Sequence, residues 1–225
     1  MSAAVEAPGT LFVWANVEPD FEEDFNRWYD REHVEERIAI PGFVVGTRYV
    51  SSHASRKYLG LYRTQNLEVF RSPAYRRAFE HQTPWSVVNL GRMQNTVRRV
   101  CTVPFETGIG SAAWLAVIRL GRTPTTADLT TLARCGTSLQ AMDGVIATHV
   151  LSPDPDLSTP LPGEDPASLV FDPILLIEGT SESVVFNAAR VASEQADATD
   201  GDLGIMRMMW RLYASEIPSR RHEKG

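Results

Sequence analysis

The sequence has few of the residues that build disulfide frameworks and metal centres. Only two cysteines occur, Cys101 and Cys135, and neither lies in a CxxC or Cys/His pattern. They therefore support neither a disulfide framework nor a zinc site, and we expect no bound metal. So few cysteines in 225 residues are typical of a reducing compartment, which predicts a cytoplasmic protein.

The sequence also lacks long apolar runs and an excess of positive charge. No stretch approaches the roughly 18 apolar residues of a membrane-spanning helix, and the start, MSAAVEAPGT, does not look like a signal peptide. The formal net charge of −6 offers no basic surface for nucleic acid or anionic lipid. We expect the pairs Arg76-Arg77 and Arg98-Arg99 on solvated faces, and a small molecule as the partner.

The sequence does contain a repeated order of predicted strands and helices. TLFVWANV, FVVGTRYV, KYLGLYR and VRRVCTVPF read as strands, with helices predicted after the first strand and in NLEVFRSPAYRRAFEHQ. The second half repeats this order with AAWLAVIRL, TADLTTLARCGTSLQAM, GVIATHVLS, PILLIEGT, SESVVFNAARVASEQA and GIMRMMWRLYA. Each half therefore reads β-α-β-β-α-β, a split βαβ arrangement.

The repeat predicts two ferredoxin-like domains, residues 1–107 and 108–225, joined by the linker ETGIGS. Each domain would carry both helices on one face of a four-stranded antiparallel sheet, which leaves the other face open. Packing the two open faces together would bury them within one chain. The proline-rich stretch 153–166 is expected to form an extended loop, either a surface insertion or a lid. Whether two chains pair into a homodimer stays open.

The first helix combines aromatic rings with charge, in FNRWYDREHVEERIAIPGF. It is expected to start near Phe21 and to stop before Pro41. With about 100° of rotation per residue, Glu32 and Glu36 fall within about 20° of Phe25, in the middle of the face toward the sheet. Asp30 and Val34 would point away. Arg48 on the next strand is an available partner for a carboxylate, so the cluster is either a structural network or a polar pocket.

If it is a pocket, acid/base chemistry is the expected use of these residues. His33 is the best candidate for proton transfer, because the intrinsic pKa of histidine lies near neutral pH. Tyr29 would donate a hydrogen bond, and Glu32 and Glu36 would set protonation. The second-half helix, TADLTTLARCGTSLQAM, has no carboxylate among its apolar positions and no histidine, so one site per chain is expected. The predicted substrate-binding residues are Trp28, Phe25, Arg48, Tyr49, Tyr62, His81 and Trp85.

The string WYDREH at 28–33, followed by PGF and TRY, resembles the EthD-like branch of the dimeric α/β-barrel superfamily. The resemblance is clearest over residues 10–105 and carries over Trp28, Tyr29, Glu32 and His33. It implies an α+β fold in which the tandem ferredoxin-like βαββαβ repeats form an intrachain dimeric α/β-barrel, with a ligand cleft between sheet and helices. Some branches bind haem, which is not expected here because no histidine stands out as a proximal ligand.

Three functions follow from the residues and the resemblance. The first is a cofactor-independent lyase, dehydratase, isomerase or cyclase that acts on a small aromatic or polyketide-like molecule. The second is a cofactor-free monooxygenase of an activated phenol. The third is a non-catalytic small-molecule-binding protein, in which the polar helix is only a structural network.

Overall fold

Eight strands form a closed antiparallel barrel in the computed structural model, which describes residues 6–161, 164, 169–198 and 202–218. Around the barrel the strand order is β1-β3-β2-β8-β5-β7-β6-β4, and pairing of β4 with β1 closes it. The strands are β1 (Gly9–Val17), β2 (Phe43–Ala54), β3 (Tyr58–Thr64), β4 (Met93–Gly108), β5 (Trp114–Arg119), β6 (Val145–Pro153), β7 (Ile174–Gly179) and β8 (Leu203–Tyr213).

The helices lie between the strands in the order that the sequence predicts. After β1 come α1 (Glu22–Trp28), a π-helical turn (Tyr29–His33) and α2 (Val34–Ile38), which run on without a break. The remaining helices are α3 (Pro73–Glu80), α4 (Pro84–Gly91), α5 (Asp128–Leu139) and α6 (Glu182–Gln195), and short 3₁₀ turns occupy Pro19–Phe21, Leu67–Arg71 and Ala214–Glu216. No helix in the described part of the chain is long and apolar enough to cross a membrane.

Helix α4 is absent from the sequence prediction. Thr83 begins it, because its side chain accepts a hydrogen bond from the backbone N–H of Ser86, and Pro84 occupies the first turn, where proline is tolerated. The same cap chemistry begins α3, where Ser72 accepts from Tyr75 N–H ahead of Pro73. The predicted interrupted helix over residues 66–82 is thus a 3₁₀ turn followed by α3, and α4 comes after it as an additional helix.

The strands of each half are neighbours in the barrel. The order is β4-β1-β3-β2 for the first four and β8-β5-β7-β6 for the last four, and the pairs β2–β8 and β4–β6 join the halves. The predicted boundary at residue 107 falls at the end of β4. The edge strands of the two halves thus pair through hydrogen bonds and close the sheet into one barrel, as expected for the predicted α/β-barrel.

The core has three parts, which follow from the alternation of side chains along each strand. On β1, Phe12 and Trp14 point into the barrel, whereas Leu11 and Val13 point outward under the first-half helices. A third cluster packs α5 and α6 on the second half, around Leu132, Val185 and Ala189 among others. Each half therefore buries one face under helices and the other in the barrel.

The π-helical turn changes which face of the first helix meets the sheet. A π turn holds more residues than an α turn, so residues after it are displaced around the axis. Val34 and Arg37 are buried, with 1% and 6% exposure, whereas Glu32 and Glu36 are only half-buried. The prediction that Glu32 and Glu36 face the sheet and Val34 faces away is wrong, because it assumes an uninterrupted α-helix.

Two predictions about polar segments are corrected in part. Arg76 and Arg77 are exposed as expected, but Arg98 and Arg99 are buried. The guanidinium of Arg98 donates to the carbonyls of Leu157 and Thr159, so the described part of the 153–166 loop is fixed on β4 of the first half. The described part of this loop therefore covers the first half rather than forming a free surface insertion.

Candidate functional site

A small cavity lies between the first-half helices and the outer face of the sheet; its enclosed volume is about 40 Å³, and it reaches about 410 Å³ only when the open space at its mouth is counted. This is where the resemblance expects a ligand. Its polar wall is formed by tyrosine, histidine and arginine side chains, and its apolar wall by aliphatic residues of β1, β4 and α4 together with Leu161 of the covering loop. The polar members are Tyr29, His33, Arg37, Tyr62, Tyr75, Gln82 and Arg98.

His33 is held in place by aromatic rings. It ends the π-helical turn, and its imidazole stacks on Trp28 with ring centroids 4.2 Å apart and 31° between the planes. The rings of Tyr29 and Tyr62 meet it edge-on at 5.1 and 6.3 Å. Part of the ring reaches the cavity, while the Nδ1 atom is buried with no hydrogen-bond partner among the described residues.

The surroundings keep His33 neutral. Burial, and then the positive charges of Arg37 and Arg48, lower the pKa of His33 well below 6.5. A neutral imidazole has a free nitrogen lone pair. The lowered pKa makes His33 a weaker base than free imidazole, so proton transfer to it depends on the cationic wall, which favours the anion left behind on the ligand.

Two phenols stand beside His33 as protonated donors. Burial raises the pKa of Tyr29, and burial followed by the nearby Tyr29 phenol raises the pKa of Tyr62 well above 10.0. The Tyr62 hydroxyl is buried and makes no well-formed hydrogen bond within the described chain. Gly60 makes room for them, since a Cβ there would lie 3.2 Å from the Tyr62 ring. Both hydroxyls can donate to a ligand oxygen.

Two buried arginines give the cavity its positive charge. Arg37 donates to the carbonyl of Ala78, and its Nε has no partner among the described residues. Arg98 donates to two loop carbonyls and to the hydroxyl of Tyr75. Neither guanidinium forms an ion pair within the described chain, so both retain charge for an anionic ligand. Burying a cation is costly unless an anion compensates it, which makes such a site receptive to one.

The two predicted acid/base carboxylates do not line this cavity. Glu32 accepts hydrogen bonds from Thr83 Oγ1 at 2.6 Å and Ser86 Oγ at 3.3 Å. Ser86 in turn accepts from Trp28 Nε1 at 3.0 Å, so Glu32 helps to fix the indole on which His33 stacks. Burial and the nearby charge of Glu32 raise the pKa of Glu36, but Glu36 remains outside the cavity.

Of the predicted substrate-binding residues, Tyr62 alone lines the cavity. Trp28 lies behind His33, and Phe25 is buried against Trp28, Tyr29 and Tyr58. His81 is exposed at the end of α3, and the indole of Trp85 donates to Asp24. The structure thus brings Tyr29, His33 and Tyr62 together in the cavity lining. The other predicted site residues lie outside this lining.

Arg48 and Tyr49 are the clearest correction. They are neighbours on β2, so their side chains point to opposite faces of the sheet. Arg48 lies under Tyr29, 4.1 Å from the ring centroid, and pairs with Asp30 at 2.9 Å rather than with Glu32 or Glu36. Tyr49 points into the barrel. The two cannot serve one cleft.

Sequence reasoning missed Arg37, Tyr75, Gln82 and Arg98. Only Arg37 carried a usable signal, because it stands one turn from His33 on the first helix. Arg98 lies in a predicted strand, where alternation alone does not say which face a helix covers. Its role depends on Leu157 and Thr159, far away in the chain.

Titration of His33 is the direct check on this geometry. We expect its imidazole to stay neutral at about pH 6, where a histidine in water is mostly protonated. Because the unfolded chain takes up this proton and the folded chain does not, His33 lowers stability as pH falls below 6.5. The measurement is an NMR titration of the Cε1–H resonance, assigned with His33→Gln. A midpoint at or above 6.5 would contradict a buried, neutral ring.

Haem does not fit either histidine that lines a cavity, His33 or His149. His33 lines a cavity with an enclosed volume of about 40 Å³, which is far too small for a porphyrin unless the lining residues are displaced. Both ring nitrogens of His149 contact glutamates. In the described residues no group of His, Cys, Asp or Glu is arranged to hold a metal ion.

The chain matches no protein-family model and no curated protein. Among solved structures it is similar to an anthrone oxidase-like protein, with a TM-score of 0.66 and 14% identity over 98% of this chain and 99% of that one. It is also similar to a candidate monooxygenase from Lactobacillus acidophilus NCFM (TM-score 0.55, 9% identity, 93% of this chain and 97% of that one). A chlorite dismutase from Candidatus Nitrospira defluvii has a TM-score of 0.50 and 10% identity over 90% and 92%.

The chain shares the fold of these solved structures. Identities this low show the fold alone, and the EthD-like branch stays a prediction.

Proposed function

We propose that the protein is an enzyme that removes a proton from a small aromatic molecule bound between the first-half helices and the sheet. His33 is the general base, and Tyr29 and Tyr62 donate hydrogen bonds to the oxygen that becomes negative. The observation that carries the proposal is a neutral, partly unpartnered imidazole facing a cavity with two arginines that lack ion-pair partners.

The charge arrangement suits proton removal from a phenol or an acidified C–H. Such a step turns a neutral ligand into an anion, so interactions that favour the anion lower its barrier. Arg37 and Arg98 supply positive charge at the cavity wall, and the aliphatic residues around them weaken screening by water. Glu32 acts through Ser86 and Trp28 as a positioning residue for His33.

The fate of the anion separates the two enzymatic readings. In a lyase or isomerase it expels a leaving group or is protonated at another atom. In a monooxygenase it reacts with O₂, so that for an anthrone one CH₂ becomes a carbonyl and the second oxygen atom leaves as water. We favour oxygenation, because two similar structures carry the names of an anthrone oxidase-like protein and a candidate monooxygenase, and because the cavity has an apolar wall.

We test the two steps separately with anthrone and the smaller 2-indanone, both of which carry a C–H acidified by a ring and a carbonyl. Under nitrogen in D₂O, the wild type should exchange that hydrogen for deuterium faster than buffer, as seen by NMR. His33→Gln should slow the enzyme-dependent exchange by at least about 100-fold, the usual contribution of a general base. Under air, O₂ uptake would indicate oxygenation, and exchange without uptake would favour the lyase reading.

His53→Gln is the matched control, since it makes the same change at an exposed histidine on the β2–β3 hairpin. It should exchange both probes at the wild-type rate. If neither probe exchanges above the buffer rate, or if His33→Gln exchanges them as fast as the wild type, the assignment of His33 as the base fails. Circular dichroism in the same buffer shows whether each variant is folded.

The same proposal extends to the organisation of the chain. We propose that 1–107 and 108–225 are two ferredoxin-like units of one ancestral type, since both have the element order β-α-β-β-α-β and equivalent strand orders. The first unit would carry the site and the second would act as its scaffold. A contact supports this division, because Trp210 of β8 donates to Asp30 at 2.7 Å and so steadies the Arg48–Asp30 pair.

A further inference from the structure

A second and larger cavity lies inside the barrel. Its enclosed volume is about 200 Å³, and it opens beside Gly110 and Ser111, which join β4 to β5. The opposite part of the lumen is filled by Phe12, Trp14 and Met206 among others, so the cavity occupies one end. This volume is small for a ligand site, so only a small molecule fits. The sheet separates it from the His33 cavity: on β3, Leu61 lines the lumen and Tyr62 lines the outer cavity.

The walls of this lumen are amphipathic. The inner surface is aliphatic, with Leu61, Val103, Leu115, Leu151 and Leu176. The mouth carries the polar side chains Thr47, Tyr49, Arg63, Ser111, His149, Glu178 and Arg211. A ligand that fits must therefore place an apolar body inside and a polar group at the mouth.

Most charges at the mouth neutralise one another. Arg63 holds Glu106 through both guanidinium nitrogens, at 2.5 and 2.7 Å. His149 contacts Glu106 Oε1 at 2.8 Å and Glu178 Oε1 at 3.2 Å, and Glu178 also accepts from Ala112 N–H at 2.7 Å. Burial disfavours protonated His149, but the hydrogen bonds that its ring nitrogens donate to Glu106 and Glu178 outweigh this effect and raise its pKa to about 9. Two glutamates thus face two cations.

Arg211 is the cation at the mouth that has no carboxylate partner among the described residues. Its guanidinium donates to Thr47 Oγ1 at 3.2 Å, Ser111 Oγ at 2.6 Å and Tyr213 OH at 3.2 Å, all of them neutral. It forms no ion pair within the described chain. The mouth therefore has a net charge of about +1, located on a guanidinium that is half-buried beside the aliphatic interior.

We propose that the barrel lumen is a second ligand site, which binds a small monoanion with an apolar body, such as an aromatic or short-chain carboxylate. The carboxylate pairs with Arg211 and Ser111 at the mouth, and the hydrocarbon part contacts Leu115, Leu151 and Leu176. Arg211 suits this task because its planar guanidinium can bind a carboxylate through two nitrogens. The site uses no residue of the His33 cavity, so it does not depend on the proposed function.

The test is calorimetric titration of the full chain with benzoate and octanoate, and with benzyl alcohol as the uncharged partner of benzoate. We expect at least one carboxylate to bind more tightly than about 10 mM, and benzyl alcohol to bind at least tenfold more weakly than benzoate. Arg211→Gln should weaken carboxylate binding at least tenfold, about 1.4 kcal/mol, and Arg211→Lys should retain part of it. Arg207→Gln, the same change at an exposed residue of β8, should bind like the wild type.

Two further variants assign the site. His33→Gln should leave carboxylate binding unchanged, whereas loss of binding in Arg37→Gln rather than Arg211→Gln would place the ligand in the outer cavity and overturn the proposal. Wild-type affinity in folded Arg211→Gln, or no binding of either carboxylate below about 10 mM, would overturn it as well. Circular dichroism and the melting temperature show whether Arg211→Gln is folded.

Discussion

Replacing Asp172 with alanine is expected to lower the free energy of unfolding by about 3 to 5 kcal/mol, as typically follows when one partner of a buried ion pair is removed. Asp172 is 1% exposed, just before β7. Its Oδ1 accepts from Arg119 at 2.5 Å and its Oδ2 from Gly121 N–H at 2.9 Å. Arg119 is also buried, at the end of β5, and its Nε has no partner among the described residues.

The expected loss is large because Arg119 would keep its charge in a poorly solvated place. Only Asp202, at 3.0 Å and partly exposed, would remain as its partner. Urea unfolding measures the change. The matched control is Glu194→Ala, which removes an exposed carboxylate from the Arg190–Glu194 pair on α6 and should cost less than about 0.5 kcal/mol.

A double variant separates the charge from the packing. Adding Arg119→Met to Asp172→Ala removes the uncompensated cation, so part of the lost stability should return. If Asp172→Ala alone costs less than about 1 kcal/mol, the pair does not stabilise this end of the barrel, and Asp202 is enough for Arg119.

The stability of the protein is expected to fall by about 3 kcal/mol as pH rises from about 6.5 to about 9, because His149 then loses a proton that the fold favours. Burial lowers the pKa of His149, but the hydrogen bonds that its ring donates to Glu106 and Glu178 outweigh this effect and raise the pKa from 6.5 to about 9. A raised folded pKa gives stability that is complete below the unfolded value of 6.5. That stability disappears as pH passes the folded value.

The titratable groups around His149 keep their protonation states between pH 6.5 and pH 9, so the change in stability reports on His149. Arg63, then His149, lower the pKa of Glu106 to about 2, so this carboxylate stays ionised throughout. Burial followed by the nearby Glu178 raises the pKa of Tyr49, and Arg211 remains charged, so neither changes between pH 6.5 and 9. Urea unfolding at a series of pH values gives the curve.

His149→Gln keeps a polar side chain between the two glutamates but cannot titrate. It should be less stable than the wild type at pH 6.5 and should lose most of the pH dependence above it. A wild-type stability that is flat from pH 6.5 to 9 would show that the two glutamates do not retain the proton. His81→Gln, at an exposed histidine, is the matched control and should follow the wild-type curve.

Part of the site could be predicted from the first helix alone. Tyr29 and His33 are four residues apart and share a face in either kind of helical turn, and both line the cavity. The prediction that Glu32 and Glu36 face the sheet is wrong because no feature of WYDREH predicts a π turn. That turn displaces later residues around the helix axis. Arg37 takes the buried position instead.

Contacts between residues that are distant in the sequence could not be predicted either. Asp30 looked solvated, yet Arg48 of β2 and Trp210 of β8 both bind it. Arg98 looked like a surface residue until the loop carbonyls of Leu157 and Thr159 covered it. Each partner lies at least eighteen positions away, where local periodicity carries no information.

The sequence by itself determined the order of strands and helices, the repeat of that order and the concentration of aromatic and titratable residues on the first helix. Those features depend on side-chain alternation, proline positions and composition, which are local properties. Tertiary structure alone decided that the barrel closes through β2–β8 and β4–β6, that Arg37 and Arg98 line the same cavity as His33, and that a charged mouth opens the lumen. These depend on which distant surfaces meet, and burial and charge pairing then select among them.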